Sequence, residues 1–264
     1  MINGRNRHVW RTPKPCAASI KSIITVLALG LANVGQAGPN VPATWLIQGG
    51  EGGRDSVEHH TALTQWFAEQ GCPLQVEVSD SAESMTTRSA RAQWVFRVSS
   101  LVPGDARFVA RTRGNQPLTV TWLVPASLGM TDLSGLSGER LALLNQNSLL
   151  GWEAPLALLK QAKVKINPAK LYHTHAFEGA VALLLHQDVF AATVPKPLAH
   201  AWAAANDLSI LAESSPYWAG ITSNAAVTAD CETAFVSFHK EGRNDERFKL
   251  FPEWLTGFAP VKLP

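Results

Sequence analysis

The segment from Asp132 to Trp152 contains the residues whose types and order best suit the binding of a small ligand. It predicts a short helix, then a hydrophobic strand ending at Leu144, then a turn in which Asn147 and Ser148 open the next helix. The first backbone N–H groups of a helix have no partner within the helix, and they carry the positive end of its dipole. The turn Asn147, Ser148, Leu149, Leu150, Gly151 and Trp152 is therefore a candidate site for a small anion.

Five further residues are candidates for the same site. Arg97 interrupts an apolar strand just before Ser99, and open α/β sheets bind ligands at the ends of their strands. Trp122 offers an aromatic ring for stacking near the predicted connection between two halves of the chain. Thr174 and His175 precede another predicted helix, for which Thr174 is a candidate N-cap.

Two pairs of histidines could in principle supply imidazole ligands to zinc or copper. They are His59 with His60, and His173 with His175. Adjacent helical residues point about 100° apart, so His59 and His60 cannot easily share one ion. No cysteine or acid lies at a spacing that strengthens the site. We therefore expect no metal or other cofactor, and keep His173 and His175 as the alternative.

Enzyme motifs are missing from the sequence. It contains no G-x-S-x-G, no HExxH and no P-loop, and Gly135-Leu136-Ser137-Gly138 is one residue short of a nucleophile elbow. We expect no covalent chemistry, so the protein is not predicted to be an enzyme.

The N-terminal residues have the three parts of a secretory signal peptide. Five basic residues precede the apolar run 23–32, and small residues ending at Ala37 follow it. Residues 1–37 are thus predicted to be a cleavable signal peptide that directs secretion. Their removal leaves 18 of the 23 basic residues against 21 acidic ones, a net charge of −3. This balance gives no support to nucleic-acid binding.

The exported part of the chain retains two cysteines, Cys72 and Cys231. Thiols tend to oxidise in such a compartment, so a disulfide is one interpretation. Two separate buried thiols are the other, because free cysteine is often buried.

Strands and helices alternate along most of the chain, which predicts an α/β fold of mostly parallel sheets with helices on both faces. Predicted strands are 44–48, 74–78, 94–98, 107–112, 118–124, 141–144, 171–174, 189–194 and 208–212, and predicted helices are 57–70, 81–92, 153–162, 176–186, 197–205 and 228–239. The order predicts a first lobe from 38–124 and 216–264 and a second lobe from 125–215. Residues 49–53, Gly-Gly-Glu-Gly-Gly, do not satisfy G-x-G-x-x-G because Asp55 fills the third position, and are interpreted as a flexible loop.

At this point the motifs resemble the periplasmic substrate-binding proteins of phosphate, phosphite and phosphonate ABC importers. Residues 132–141 are similar to that family's entry to the second lobe, residues 147–152 to its serine-threonine-serine-glycine-tyrosine ligand loop, and residues 173–181 to its glycine-serine-histidine motif. The resemblance spans residues 61–223. It implies a two-lobed type II periplasmic binding protein that closes on a small solute and works with the membrane components of an importer. We expect the protein to act as a monomer.

Departures from the family pattern affect the ligand. The resemblance implies that hydroxyl groups of the loop donate to phosphonate oxygens, but Leu149 and Leu150 stand where threonine and serine are expected. Each lost hydrogen bond to a charged group costs about 1.5 to 3 kcal/mol. Trp94 and Phe190 replace expected aspartates, which favours either a flatter, less polar ligand or additional core.

We therefore expect a solute-binding protein whose ligand is phosphonate-like or another anion or zwitterion. Two alternatives remain. One is an interaction or sensor protein that keeps the fold without a transport ligand, which the two leucines favour. The other is metal delivery through the histidines.

Overall fold

The computed structural model describes residues 42–224, 226–242 and 244–261. The predicted signal peptide lies outside these ranges. None of the helices within them is both long and apolar enough to cross a membrane.

The described residues form eleven strands and six α-helices. The strands are β1 (Ala43–Gln48), β2 (Leu74–Ser79), β3 (Trp94–Ser99), β4 (Ala106–Thr112), β5 (Val120–Pro125), β6 (Leu141–Leu144), β7 (Leu171–Thr174), β8 (Ala191–Pro195), β9 (Leu208–Glu213), β10 (Trp218–Ser223) and β11 (Leu255–Pro260). The helices are α1 (Val57–Glu69), α2 (Ala82–Ser89), α3 (Ala154–Gln161), α4 (Phe177–Leu185), α5 (Lys196–Asn206) and α6 (Ala229–Ser237).

The first sheet has six strands in the order β2-β1-β3-β10-β4-β11. Strand β1 pairs in parallel with β2 and β3, whereas β10 and β11 pair antiparallel with their neighbours. The sheet is therefore mixed, and only its β2-β1-β3 part has the predicted parallel arrangement. We call this sheet and its helices the first lobe.

The second sheet has five strands in the order β7-β6-β8-β5-β9. Strand β6 is parallel to β7 and β8, and β5 runs antiparallel between β8 and β9. We call this sheet and its helices the second lobe. Strand β5 lies in it, although the predicted boundary at residue 124 placed most of this strand in the first lobe. The hydrogen bonds on both sides of β5 explain the difference, since they fix it inside the second sheet.

The chain connects the two sheets twice. Residues 113–119 lead from β4 to β5, with Gly114 in a left-handed conformation at φ 67°. Residues 214–217 lead from β9 to β10. Strands β4 and β5 are thus not a hairpin around Gly114 and Asn115, because each pairs in a different sheet.

Strands β10 and β11 are absent from the prediction. All six residues of β10 are buried, so the alternation of apolar and polar residues that identifies a half-exposed strand is missing. Gly220 in β10 also allows a close approach of β4, since a Cβ there would lie 2.1 Å from the carbonyl oxygen of Phe108.

Side-chain caps define the starts of several helices. The Ser56 hydroxyl accepts from the backbone N–H of His59 at α1, and Thr228 accepts from Cys231 at α6. The predicted cap Thr174 is wrong for α4. That helix starts after Ala176 without a side-chain cap, and the Thr174 hydroxyl instead donates to the Ala176 carbonyl at 3.0 Å.

An aromatic core holds the first lobe together. The fully buried Trp45 ring lies 5.2 Å from the Phe67 ring and 5.0 Å from the Phe235 ring, so α1 and α6 pack against one side of β1. Trp94 lies 4.8 Å from Phe235 in the same core. Trp94, which stands where an aspartate was expected, is thus a packing residue. Phe190, at the other such position, packs against the core of the second lobe.

Cys72 and Cys231 form a disulfide, which decides between the two interpretations of the cysteines. Their Cα atoms are 4.8 Å apart, although 159 residues separate them along the chain. The bond links the segment between α1 and β2 to α6. It therefore joins the two chain segments from which the first lobe is built.

Candidate ligand-binding site

The predicted turn after β6 has the expected helix N-terminus. Ser148 is the N-cap, and its fully buried hydroxyl oxygen accepts from the backbone N–H of Gly151 at 2.7 Å. A π-helical turn, Leu149–Glu153, leads directly into α3. The backbone N–H groups of Leu149 and Leu150 consequently remain available to an acceptor outside the helix.

That acceptor is the carboxylate of Glu51, which comes from the loop after β1 in the first lobe. Glu51 Oε1 accepts from the N–H of Leu149 at 2.7 Å. Glu51 Oε2 accepts from the hydroxyl of Ser148 at 2.7 Å and from the N–H of Leu150 at 3.2 Å. A carboxylate of the chain itself therefore occupies the predicted anion position.

The loop that carries Glu51, residues 49–53, is packed against the second lobe. Gly50 has φ 82°, and a Cβ on it would lie 3.3 Å from the carbonyl oxygen of Asn147. Gly52 has φ 96°, and a Cβ there would lie 3.4 Å from the Phe177 ring. Gly50 and Gly52 both have a left-handed backbone conformation and both lie close to the second lobe, which explains why glycine occupies these positions. The prediction of a loosely held, flexible loop is wrong for this reason, and we call residues 49–53 the glycine loop.

Burial changes the acid strength of Glu51, whose side chain is only 1% exposed. Removal from water raises the pKa of this carboxyl from its ordinary 4.5 to about 7. The hydrogen bonds from Ser148, Leu149 and Leu150 lower the pKa, and the nearby charge of Glu153 raises it. Desolvation is the largest of these effects, so Glu51 titrates near neutral pH.

A cavity of about 230 Å³ adjoins the glycine loop between the two lobes. The ends of β1, β2 and β3 line it from the first lobe, and the turn after β6 lines it from the second. Its charged and amide-bearing lining residues are Gln48, Asp80, Arg97, Asn147 and Glu153. Asp80 and Glu153 are the two carboxylates among these residues, and Arg97, the cation among them, pairs with Asp105 at 3.2 Å.

Two buried polar atoms in the cavity lining have no hydrogen-bond partner among the described residues. They are the hydroxyl oxygen of Ser79 and Nε of Arg97. Such groups are uncommon inside proteins, because an unsatisfied buried polar group is costly. Ser79 ends β2, at the edge of the sheet where α/β folds bind ligands, and Arg97 lies two residues before the end of β3.

A second cavity, of about 400 Å³, borders the glycine loop at Gly52. Its lining carries both signs of charge, namely Arg54, Lys240 and Lys249 with Glu178 and Glu253. Burial and a hydrogen bond with Glu178 raise the pKa of Glu253 to about 7. None of the residues predicted to bind ligand lines this cavity.

The predicted site residues divide between the inter-lobe cavity and other places. Arg97, Asn147 and Leu149 line the cavity, whereas Ser148 faces Glu51. Leu150 is fully buried in the core, and the Cβ position of Gly151 is filled by the side chain of Leu144.

The remaining predicted residues lie away from the cavity. Trp122 is fully buried in the core of the second lobe, so its predicted stacking on a ligand is wrong. Trp152 packs against His173 at a ring distance of 5.0 Å. Ser99 donates its hydroxyl to the carbonyl of Leu101. His175 is exposed, beside the backbone-bonded Thr174.

The histidines do not gather into a metal site. His60 pairs with Asp55 at 2.6 Å, and His59 pairs with Glu246 at 3.1 Å. Within the described ranges, no three histidine, cysteine, aspartate or glutamate side chains lie close enough to hold one ion.

Glu51 is the residue of this site that the sequence prediction missed. A signal for it existed, since a single acid among four glycines directly follows the first strand. Strand ends are ligand positions in α/β sheets, and glycines permit close backbone approach.

Comparison with solved structures supports the type II binding-protein fold. XAC2383 from Xanthomonas citri, bound to chloride, is 16% identical with a TM-score of 0.56, covering 83% of this chain and 92% of that protein. PhnD1 from Prochlorococcus marinus, in complex with methylphosphonate, is 12% identical with a TM-score of 0.56, covering 84% and 94%. PA3383 from Pseudomonas aeruginosa, a binding component of a phosphonate ABC transporter, is 10% identical with a TM-score of 0.51, covering 83% and 82%.

No match was found among functionally curated protein sequences. A family model does match residues 104–263, which is more than half of the chain. This family consists of binding proteins and not of enzymes. The predicted resemblance is thereby confirmed: the chain belongs to the family of periplasmic substrate-binding proteins of ABC phosphonate transporters.

Proposed function

We propose that this protein binds a small solute with a positively charged group, as a cation or zwitterion, and delivers it to the membrane components of an importer. The observation that carries the proposal is the position of Glu51, which fills the anion site of the second lobe. The solute is held in the cavity beside the glycine loop, between Asp80 and Glu153.

The occupied anion site argues against a phosphonate ligand there. A phosphonate would need the N–H groups of Leu149 and Leu150, which already donate to Glu51. Two anions at one helix N-terminus repel each other, and neither leucine side chain adds a donor. A phosphonate would have to displace the buried carboxylate before it could bind.

The charges of the cavity favour a cationic group. Asp80 and Glu153 are exposed carboxylates that face the cavity from opposite lobes. An ammonium group placed between them would be attracted by both negative charges. The volume of about 230 Å³ lies below the range of about 300 to 1,000 Å³ that holds drug-sized ligands, so the solute is small.

Contacts from both lobes give the binding mechanism. Gln48 is the last residue of β1 and Asp80 directly follows β2, and Asn147 and Glu153 flank the turn of the second sheet. A solute that touches both sets favours the arrangement in which the lobes are close together.

Thermal unfolding against a panel of solutes tests this function. The panel contains small amines, amino acids, betaines, phosphate, alkylphosphonates and divalent metals. A bound solute raises the melting temperature by mass action. We expect a rise with a cationic or zwitterionic member, confirmed by calorimetry, and its loss in Asp80→Asn and Glu153→Gln. Asp188→Asn, an exposed carboxylate of the second lobe, is the matched control and should retain binding.

Three results would contradict the proposal. A rise with alkylphosphonates alone would return the ligand to the family's phosphonates. Binding of a cation that both cavity variants leave unchanged would place the site elsewhere. No response to any solute would favour the alternative in which the fold serves a protein partner.

A further inference from the structure

We propose that Glu51 is an intramolecular ligand, which occupies an oxyanion site of the second lobe and keeps the two lobes joined when no solute is bound. Removal of this side chain should open the site to small oxyanions. This inference does not depend on the solute proposed above, because it concerns a different set of contacts.

The contacts of Glu51 are those that a bound oxyanion would make. Both carboxylate oxygens accept hydrogen bonds, and the three donors come from three consecutive residues, Ser148, Leu149 and Leu150. The site is closed to water, since Glu51 is 1% exposed and Ser148 is fully buried. Hydrogen bonds to a charged acceptor are stronger than neutral ones.

The glycine loop is shaped to deliver this carboxylate across the gap between the lobes. Gly50 and Gly52, on either side of Glu51, lie in contact distance of Asn147 and Phe177. Three consecutive residues of the first lobe thus pack on the second. On the other flank, a Cβ at Gly53 would lie 2.2 Å from the Leu250 carbonyl oxygen, so the loop is also fixed against its own lobe.

Tethering gives Glu51 an advantage over a dissolved anion. A group attached by a short linker competes at an effective concentration in the millimolar range or above. A free oxyanion can bind only those molecules in which Glu51 has left the site. Its apparent dissociation constant is therefore the intrinsic one divided by the fraction of such molecules. Phosphate at micromolar concentration should therefore leave the wild-type protein unoccupied.

The first test is calorimetric titration of the mature protein with inorganic phosphate, methylphosphonate and acetate. We expect no binding by the wild type, and apparent affinity at least about tenfold higher in Glu51→Gly, with a rise in melting temperature. Ser148→Ala in the Glu51→Gly background should abolish the gain, because it removes one donor and the N-cap. Glu58→Gln, an exposed glutamate of α1, is the control and should behave as the wild type.

The second test is small-angle X-ray scattering without added anions. If Glu51 joins the lobes, Glu51→Gly and the size-conserving Glu51→Gln should both have a larger radius of gyration than the wild type. Acetate should restore the wild-type value in Glu51→Gly only. Glu51→Gln keeps the test decisive if the glycine variant does not fold.

The proposal is overturned if the wild type binds phosphate as tightly as Glu51→Gly, or if the folded variant binds none of the three anions. Unchanged scattering in both variants would refute the joining of the lobes. Phosphate binding by the wild type would also count against a cationic solute, because that proposal rests on the same occupied anion site. The other outcomes leave it standing, since binding of a cation is measured through Asp80 and Glu153.

Discussion

Replacement of Glu51 by glutamine should change how the stability of the protein depends on pH. Burial raises the pKa of this carboxyl from 4.5 to about 7, so between these values the folded protein binds a proton that the unfolded chain has lost. Stability must then fall as pH rises through this interval, and stay level above it. Because one pKa unit corresponds to about 1.4 kcal/mol, the loss attributable to Glu51 is about 3 kcal/mol.

The measurement is urea unfolding at steps between pH 4 and pH 8, followed by tryptophan fluorescence with the disulfide intact. Glu253 also has a raised pKa, so the wild-type profile contains more than one contribution. The difference between wild type and Glu51→Gln isolates the Glu51 contribution. We expect the wild type to lose about 3 kcal/mol relative to the variant from pH 4.5 to pH 7.

Parallel profiles for the two proteins would refute the reasoning. They would mean that the three hydrogen bonds balance desolvation and keep the pKa near its ordinary value. An advantage of the wild type that grows with rising pH would mean that the ionised form is the favoured one in the folded state. Glu58→Gln, whose side chain is exposed, should follow the wild type throughout.

Three further predictions concern stability. Replacing both Cys72 and Cys231 by serine should lower the free energy of unfolding by about 4 to 5 kcal/mol, because the disulfide closes a loop of 159 residues; dithiothreitol should then have no further effect on urea unfolding. Gly53→Ala should cost about 1 to 3 kcal/mol in the same assay, since its Cβ would overlap a backbone carbonyl. Its control is Gly104→Ala, where a Cβ would have no atom within 4 Å and stability should change by less than about 0.5 kcal/mol. Phe235→Ala should cost about 3 to 5 kcal/mol by removing a fully buried ring, and a smaller loss would show that the aromatic core readjusts around the gap.

Local patterns predict most of the secondary structure. Nine of the eleven strands in the described residues agree in position with runs of apolar and alternating residues. The two missed strands, β10 and β11, return to the first sheet from the far end of the chain. Their partners are distant in sequence, so no local pattern reveals that β10 lies at the centre of that sheet.

The candidate site is predictable where it depends on one chain segment. Ser148 can be predicted as an N-cap because serine favours this position and because apolar residues at helical spacing begin directly after it. The bond between Glu51 and Ser148 joins residues 97 positions apart, and it exists only because both sheets bring these residues to one cleft. The burial of Trp122 has the same origin, since β5 enters the second sheet between two neighbours.

The long path between Cys72 and Cys231 sets an order of events for a chain that emerges N-terminus first. All strands of the second sheet are present once residue 213 has appeared, so that sheet can assemble from one continuous segment. The first sheet at that moment still lacks β10 and β11, and Cys231, the partner of Cys72, has not yet appeared. The disulfide can therefore form only after Cys231 has appeared, so the first oxidised protein marks the arrival of the segment that contains α6. A ribosome-stalled chain that ends before Cys231 would leave Cys72 as a free thiol that thiol reagents can label.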